Sequence, residues 1–324
     1  YLKAMFAGHG YGHQAEGETA DVEAIDVDAC RRWHAAQIRP ESILFVMVGE
    51  FERERIARLA HEWVNRHTHA HIAISAAVRD TMLETREFNP AKIAVVRNGI
   101  PPIDRMDLAP AGEVRARLQI SDTAPLLVCM ARLETEKNIT CLITAMRQVA
   151  DRYPAAQCLI LGEGRLAKEL QAQVERLGLD QNVRLLGFRA DARSVLAAAD
   201  LFVLPSHAEP FGLAIVEAMA LGIPVVVTNA GGPREIVEHN QTGLVVRTND
   251  APELAAAIVD LLGDAARRVQ MGQAGWERYV SQFTSERMAR NMLGVYRRTL
   301  YVRDSLRTGQ RKQPSGHSDP GFQP

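Results

Sequence analysis

Cysteines and long apolar runs are scarce in this chain, and neither sign of charge predominates. Its four cysteines, Cys30, Cys129, Cys141 and Cys158, stand far apart, and no C-x-x-C pair occurs. That spacing argues against zinc-finger and thioredoxin-like motifs. Cys129 and Cys158 lie inside apolar runs, which is the expectation for buried, reduced thiols and a cytoplasmic protein. No run approaches the roughly 20 apolar residues that a membrane-spanning helix needs. No signal-peptide pattern is read at the start, and the first residue is Tyr1, as expected of a processed chain or a fragment. The formal net charge of -1 gives no global basic excess of the kind that nucleic-acid binding favours.

The composition is that of a core-forming protein. Hydrophobic residues make up 47% and charged residues 24% of the chain, both ordinary for globular domains. At roughly 150 residues per domain, the 324 residues suggest two domains. From Leu126 onward, short apolar runs recur: LLVCMA (126–131), CLILG (158–162), VRLLG (183–187), LFVLPS (201–206), PVVVT (224–228) and GLVV (243–246). Segments with helical periodicity separate most of them, as where Leu142, Ile143, Met146 and Val149 fall on one face. Continuous apolar strands alternating with helices indicate a parallel sheet covered on both sides, hence a doubly wound α/β domain. Before Pro101 the same signals are fewer. A strand is expected over 42–48, an amphipathic helix over 51–67, and further strands over 70–75 and 92–97. The expected division is a short N-terminal Rossmann-like domain over 1–105, a Pro- and charge-rich linker over 106–124, and a second Rossmann-like domain over 125–285. A C-terminal helix over 286–302 and a disordered tail over 303–324 complete it.

In open α/β sheets, ligands bind beyond the carboxyl ends of the strands, so those ends carry the candidate site. After LLVCMA come Arg132 and Lys137. An Arg at the strand end and a Lys entering a helix can converge on one anion, or remain surface cations paired with Glu134 or Glu136. After CLILG, Gly162 and Gly164 permit a close backbone approach or simply a tight turn. After VRLLG, Phe188 follows Gly187, where a flat ring could lie. After LFVLPS comes HAEPFGLAIVEAMALG, His207–Gly222. Pro210 disfavours helix at Glu209, so the helix should begin near Gly212, with the Gly212 and Leu213 N–H groups open to a phosphate. Glu209 precedes that N-terminus and Glu217 follows it by five residues. Carboxylates repel a diphosphate but accept hydrogen bonds from hydroxyls. A diphosphate with polyhydroxy groups on either side, a sugar nucleotide, fits this order. The next strand ends in Asn229-Ala-Gly231-Gly232-Pro233, where Pro233 suits a first helical position and Glu235 is read as holding the loop.

With these residues in place, ARLETEKN, LILGEGRL, VRLLGF, AADLFVLPSHAEPFGLAIVEAMALGIPVVVTNAGGPREIV and TGLVV resemble, in order and spacing, the nucleotide-binding half of family 4 retaining glycosyltransferases of the GT-B fold. The resemblance covers roughly residues 55–300. It implies two Rossmann-like domains facing a cleft. It also implies transfer of a sugar from a UDP- or GDP-sugar to a hydroxyl acceptor with retention of configuration. The acceptor would be a glycan, a lipid-linked molecule or a small molecule, in polysaccharide, glycolipid or cell-envelope synthesis. By the same resemblance Arg132, Lys137 and the backbone at Gly212 and Leu213 hold the donor diphosphate, and Glu217 binds the ribose hydroxyls. Glu209 faces the transferred sugar and its anomeric region, Phe188 lies near the base, and Gly162 and Phe211 complete the donor contacts. Arg132, Lys137 and Glu209 are the candidate catalytic residues. No metal or other cofactor is expected, because cations and a helix end would stabilise the departing nucleoside diphosphate.

The first domain departs from the family pattern. It offers no convincing strand before the glycines of GHGYGH and no His after SILFVMV, so it is expected to be short by one or more βα units. Two other readings follow: a donor-binding chain without activity, and a sugar-nucleotide epimerase on a similar architecture. The alternating His67, His69 and His71 could share a strand face as in a metal site, but no acidic or cysteine partner stands nearby, and none is expected to bind metal. The basic run from Arg297 to Gln313 could touch anionic lipid at the inner face of a membrane, or be a solvated tail.

Overall fold

The computed structural model describes Asn65, residues 68–85 and residues 88–308. The strand expected over 42–48, most of the helix over 51–67, Cys30, His67 and the tail beyond 308 lie outside the described residues. The chain forms two compact units, Tyr1–Thr68 and His69–Pro324, and the second holds everything that follows.

Strands β1 (His71–Ala73) and β2 (Ile93–Val95) pair in parallel around helix α1 (Ala76–Glu84). Then comes a six-stranded parallel sheet. Its strands are β3 (Leu126–Met130), β4 (Gln157–Leu161), β5 (Val183–Gly187), β6 (Leu201–Leu204), β7 (Val225–Thr228) and β8 (Gly243–Val246), in the order β5-β4-β3-β6-β7-β8. The helices are α2 (Ala111–Arg117), α3 (Ile139–Arg152), α4 (Ala167–Arg176), α5 (Ala192–Ala197), α6 (Leu213–Ala220), α7 (Pro233–Ile236), α8 (Ala251–Gly263), α9 (Ala265–Gln282) and α10 (Ser285–Thr308). The order is that of a Rossmann-type doubly wound sheet.

The sheet works as a partition because consecutive strand residues face opposite sides. In β3, Leu126 and Val128 join Val114, Leu196, Phe202, Ile215 and Met219 on one face. Leu127 and Cys129 join Leu142, Met146, Leu170, Ile258 and Leu261 on the other. Both faces are covered, which is why these strands read as unbroken apolar runs. Each such side chain, fully buried, stabilises by about 1.5–3 kcal/mol.

Three expectations need correction. The segment 106–124 is not a linker. Helix α2 forms within it, and Val114 on the helix and Leu118, Ile120 and Ala124 after it pack into the core. Arg115 turns inward too, donating to the carbonyls of Ser121, Ala124 and Ala198 and to Asp200 at 2.8–3.1 Å. Second, the boundary between units falls at Thr68, not at 105, because β1, α1 and the 98–100 crossing are bonded into the second unit. Ile100 N–H donates to Phe283 O at 3.0 Å, and Ser285 N–H to Ile100 O at 2.9 Å. Third, the last helix runs to Thr308, so the start of the expected tail is helical.

Candidate functional site

From β3 the chain winds outward to β4 and β5, then returns to the other side of β3 for β6. The carboxyl ends of β3 and β6 therefore flank the point where the winding reverses, and loops there diverge to leave a crevice. The loop after β3 carries Arg132, a 3-10 turn over Thr135–Lys137 and the left-handed Asn138 (φ 50°) from which α3 starts. The loop after β6 carries Ser206, Glu209 and Gly212.

Backbone bonds stitch these loops together. His207 N–H donates to Glu136 O at 3.0 Å, Leu133 N–H to Glu163 O at 2.8 Å, and Glu209 N–H to Ala230 O at 3.0 Å. Gly162 sits at φ 140°, and a Cβ there would lie 2.0 Å from Ala131 O. Its lack of a side chain is what lets the β3 and β4 loops touch. Gly212 at φ 110° turns the chain into α6 without a side-chain capping bond, leaving first-turn amides with no intrahelical partner.

Within this frame Lys137 and Glu209 meet. Lys137 Nζ lies 2.6 Å from Glu209 Oε2, with the side chains 15% and 9% exposed. Ser206 Oγ, fully buried, donates to the same oxygen at 3.4 Å. Arg132 is not part of this pair. Its side chain is exposed and binds Glu136 at 2.7 Å. Glu217 lies further along α6, half-buried, and binds Arg193 on α5 at 3.0 Å. Phe188 is 76% exposed just beyond β5. Phe211 is corrected. Expected among the donor contacts, it is a core side chain, buried edge-on against Phe283 with ring centroids 6.1 Å apart.

Cys129, in β3, is fully buried. Burial pushes its thiol up to about 12, with Lys137 offsetting only part of that. His71 packs edge-on against Phe88 at 5.1 Å, and burial, then Lys92, lowers its pKa. Among the described residues no group of three His, Cys, Asp or Glu is placed to hold a metal. Ser206, Arg193 and the long-range partners of Glu235 were not foreseen from sequence. They are set by contacts between segments, for which no local spacing gives a signal.

The geometry is thus a cation and a carboxylate in contact at the reversal point, an open helix N-terminus beside them, and a second carboxylate one and a half turns along that helix. Comparison with known proteins gives the same direction. The family model described as "Glycosyl transferases group 1" matches residues 111–278. Over 192 residues, 56% of this chain and 49% of the relative, the sequence is 36% identical to a GDP-mannose-dependent monoacylated alpha-(1-6)-phosphatidylinositol monomannoside mannosyltransferase of Corynebacterium glutamicum. Over 244 residues, 75% of this chain and 57% of the relative, it is 32% identical to a glycogen synthase of Mycobacterium tuberculosis. The chain spans about half the length of these curated relatives. Among solved structures, Anabaena HepE in complex with UDP and glucose superposes with a TM-score of 0.65 at 27% identity, over 80% of this chain and 68% of that one.

Proposed function

The chain belongs to the group 1 glycosyl transferases, and from that premise we propose that it moves a sugar from a UDP- or GDP-sugar to a hydroxyl of a glycan, lipid-linked or small-molecule acceptor, with retention of configuration. The observation that carries the donor assignment is the Lys137–Glu209 contact beside the open N-terminus of α6. An ammonium and first-turn amides are suited to a diphosphate. Carboxylates on either side are suited to sugar and ribose hydroxyls. The support from relatives is that HepE was crystallised with UDP and glucose and that the Corynebacterium relative is named for GDP-mannose.

In this reading Lys137, Arg132 and the amides of Gly212 and Leu213 bind the donor diphosphate. They stabilise its charge as the bond between the anomeric carbon and the phosphate oxygen breaks, without a metal ion. Glu209 orients the transferred sugar, and Glu217 the ribose. The acceptor oxygen bonds to the anomeric carbon on the face the diphosphate leaves, and its proton passes to the departing phosphate.

Thermal shift with UDP, GDP and ADP tests the donor site, since a ligand at 100 times its Kd adds about 2.7 kcal/mol to the folded state. NMR of the product then reads the anomeric configuration. No stabilisation by any nucleotide, or an inverted product, would overturn the proposal, as would loss of turnover on adding EDTA for its metal-free part.

A further inference from the structure

We propose that Glu235 is a positioning residue for the donor site, closing a ring of hydrogen bonds that fixes the loop bearing Glu209. The role rests on the transfer reading above. Glu235 lies on α7, its side chain only 14% exposed. Its two carboxylate oxygens accept one bond each from the first amides of α1, Ala76 N–H at 2.9 Å and Ala77 N–H at 2.8 Å. Those amides belong to a segment about 160 residues earlier in the chain. A carboxylate at a helix N-terminus meets the positive end of the dipole, and such charged bonds are stronger than neutral ones. Arg97 Nε adds a contact at 3.3 Å.

The same end of α1 reaches the site. Ser75, fully buried, accepts from Val78 N–H at 3.0 Å and donates to Pro210 O at 2.6 Å. Pro210 directly follows Glu209. The backbone of Glu209 is in turn held by Ala230 O at 3.0 Å and by Gly232 N–H at 2.9 Å, and Gly232 is the residue before α7. The path therefore closes on itself, from Glu235 to α1, Ser75, Pro210, Glu209, Gly232 and back to α7. The fit is close: a Cβ on Gly231 would lie 3.4 Å from Ala77 Cβ. Glu235 does not touch the donor. It sets where Glu209 stands, and so should govern the sugar end of the donor far more than its nucleotide end, which Lys137 and the α6 amides hold.

The test compares the full chain with Glu235→Ala, Glu235→Gln and Ser75→Ala. Amide exchange over residues 205–212 is measured without donor. Turnover and nucleoside-diphosphate affinity are measured with it. Loss of one link should raise exchange over 205–212 by about tenfold or more while the sheet stays protected. Turnover should fall about tenfold or more with diphosphate affinity held within about twofold. Gln, which keeps one acceptor, should fall between Ala and the parent, and Ser75→Ala should reproduce the pattern even if Glu235→Ala folds poorly. Unchanged exchange over 205–212, or equal losses in turnover and affinity, would overturn the proposal. A parent chain that binds no nucleotide would defeat the transfer reading instead, and the exchange comparison would still decide the role of Glu235.

Discussion

Replacing Lys137 with methionine keeps the length of the side chain and removes its charge. Glu209 is then left as a carboxylate 9% exposed, with only the 3.4 Å bond from Ser206 Oγ. Removing one partner of a fully buried ion pair costs about 3–5 kcal/mol. Lys137 is 15% exposed, so water reaches the site, and a cost of about 2 kcal/mol is the reasonable expectation. At about 2–4 °C per kcal/mol for a domain of this size, the melting temperature should fall by about 4–8 °C. Glu209→Gln should cost less, because a flexible ammonium reaches solvent more easily than a carboxylate on a bonded loop. The double variant should be more stable than the sum of the singles by about 1–2 kcal/mol, the sign of a direct contact. Calorimetric titration with UDP and GDP supplies the second axis. Lys137→Met loses a charged bond to phosphate, worth about 1.5–3 kcal/mol, or about 10- to 150-fold in affinity. Glu209→Gln should tighten the free nucleotide, because the anion competing for Lys137 is gone. A Lys137→Met chain with unchanged melting and affinity would refute the reasoning, and so would a Glu209→Gln chain that binds UDP and GDP more weakly.

Other expectations follow from single contacts. Arg189 hydrogen-bonds Asp191 and, with Arg117, lowers its carboxyl pKa; the stability it contributes is complete above about pH 4 and is lost as pH falls through the lowered value. Acid unfolding of Asp191→Asn should accordingly differ from the parent at pH 6 and converge with it at the acid end. Gly162→Ala, at φ 140° with a Cβ 2.0 Å from Ala131 O, should cost about 3 kcal/mol or more. Gly187→Ala, at φ 66° with open space around it, should cost about 1–2 kcal/mol; denaturant melts of both check the ranking. Cys129 and Cys158, whose thiols burial holds in the neutral form, should resist iodoacetamide at pH 8 until denaturant is added, read by mass spectrometry. Inorganic pyrophosphate should stabilise the chain less than UDP does in a thermal shift at equal concentration.

The parts legible in the sequence are those governed by local periodicity. Strands β3, β4, β6, β7 and β8 announce themselves because burial on both faces keeps charged residues out of them, and the start of α6 at Gly212 follows from Pro210 and the glycine. Helix α2 was masked because Pro110 caps it and because it carries Glu113, Arg115 and Arg117 within seven residues. An inward Arg115 contradicts the usual amphipathic pattern, and Asp200 together with the carbonyls of Ser121, Ala124 and Ala198 makes it tolerable. Partner choice was not legible either. Glu134 and Glu136 were the near candidates for Lys137, yet its partner is Glu209, 72 residues away. Glu136 pairs with Arg132 instead. Sequence spacing shows which residues share a strand end. It does not show which charges meet once six strand ends converge.

That pairing bears on how a donor would enter. Lys137, Arg132 and Arg193 each already hold a carboxylate, Glu209, Glu136 and Glu217 respectively. A diphosphate arriving alone would have to draw Lys137 off Glu209 and leave that carboxylate poorly solvated, which is costly. A sugar nucleotide brings both halves of the exchange. Its phosphates take the cations while its hydroxyls donate to the released carboxylates. Binding becomes a swap of partners, with little net change in buried charge. On the proposed reading the two acids in HAEPFGLAIVEAMALG, paired here with Lys137 and Arg193, would favour ligands that carry hydroxyls on both sides of the diphosphate over bare polyphosphates, and a thermal-shift ranking of sugar nucleotide above tripolyphosphate is the expected outcome.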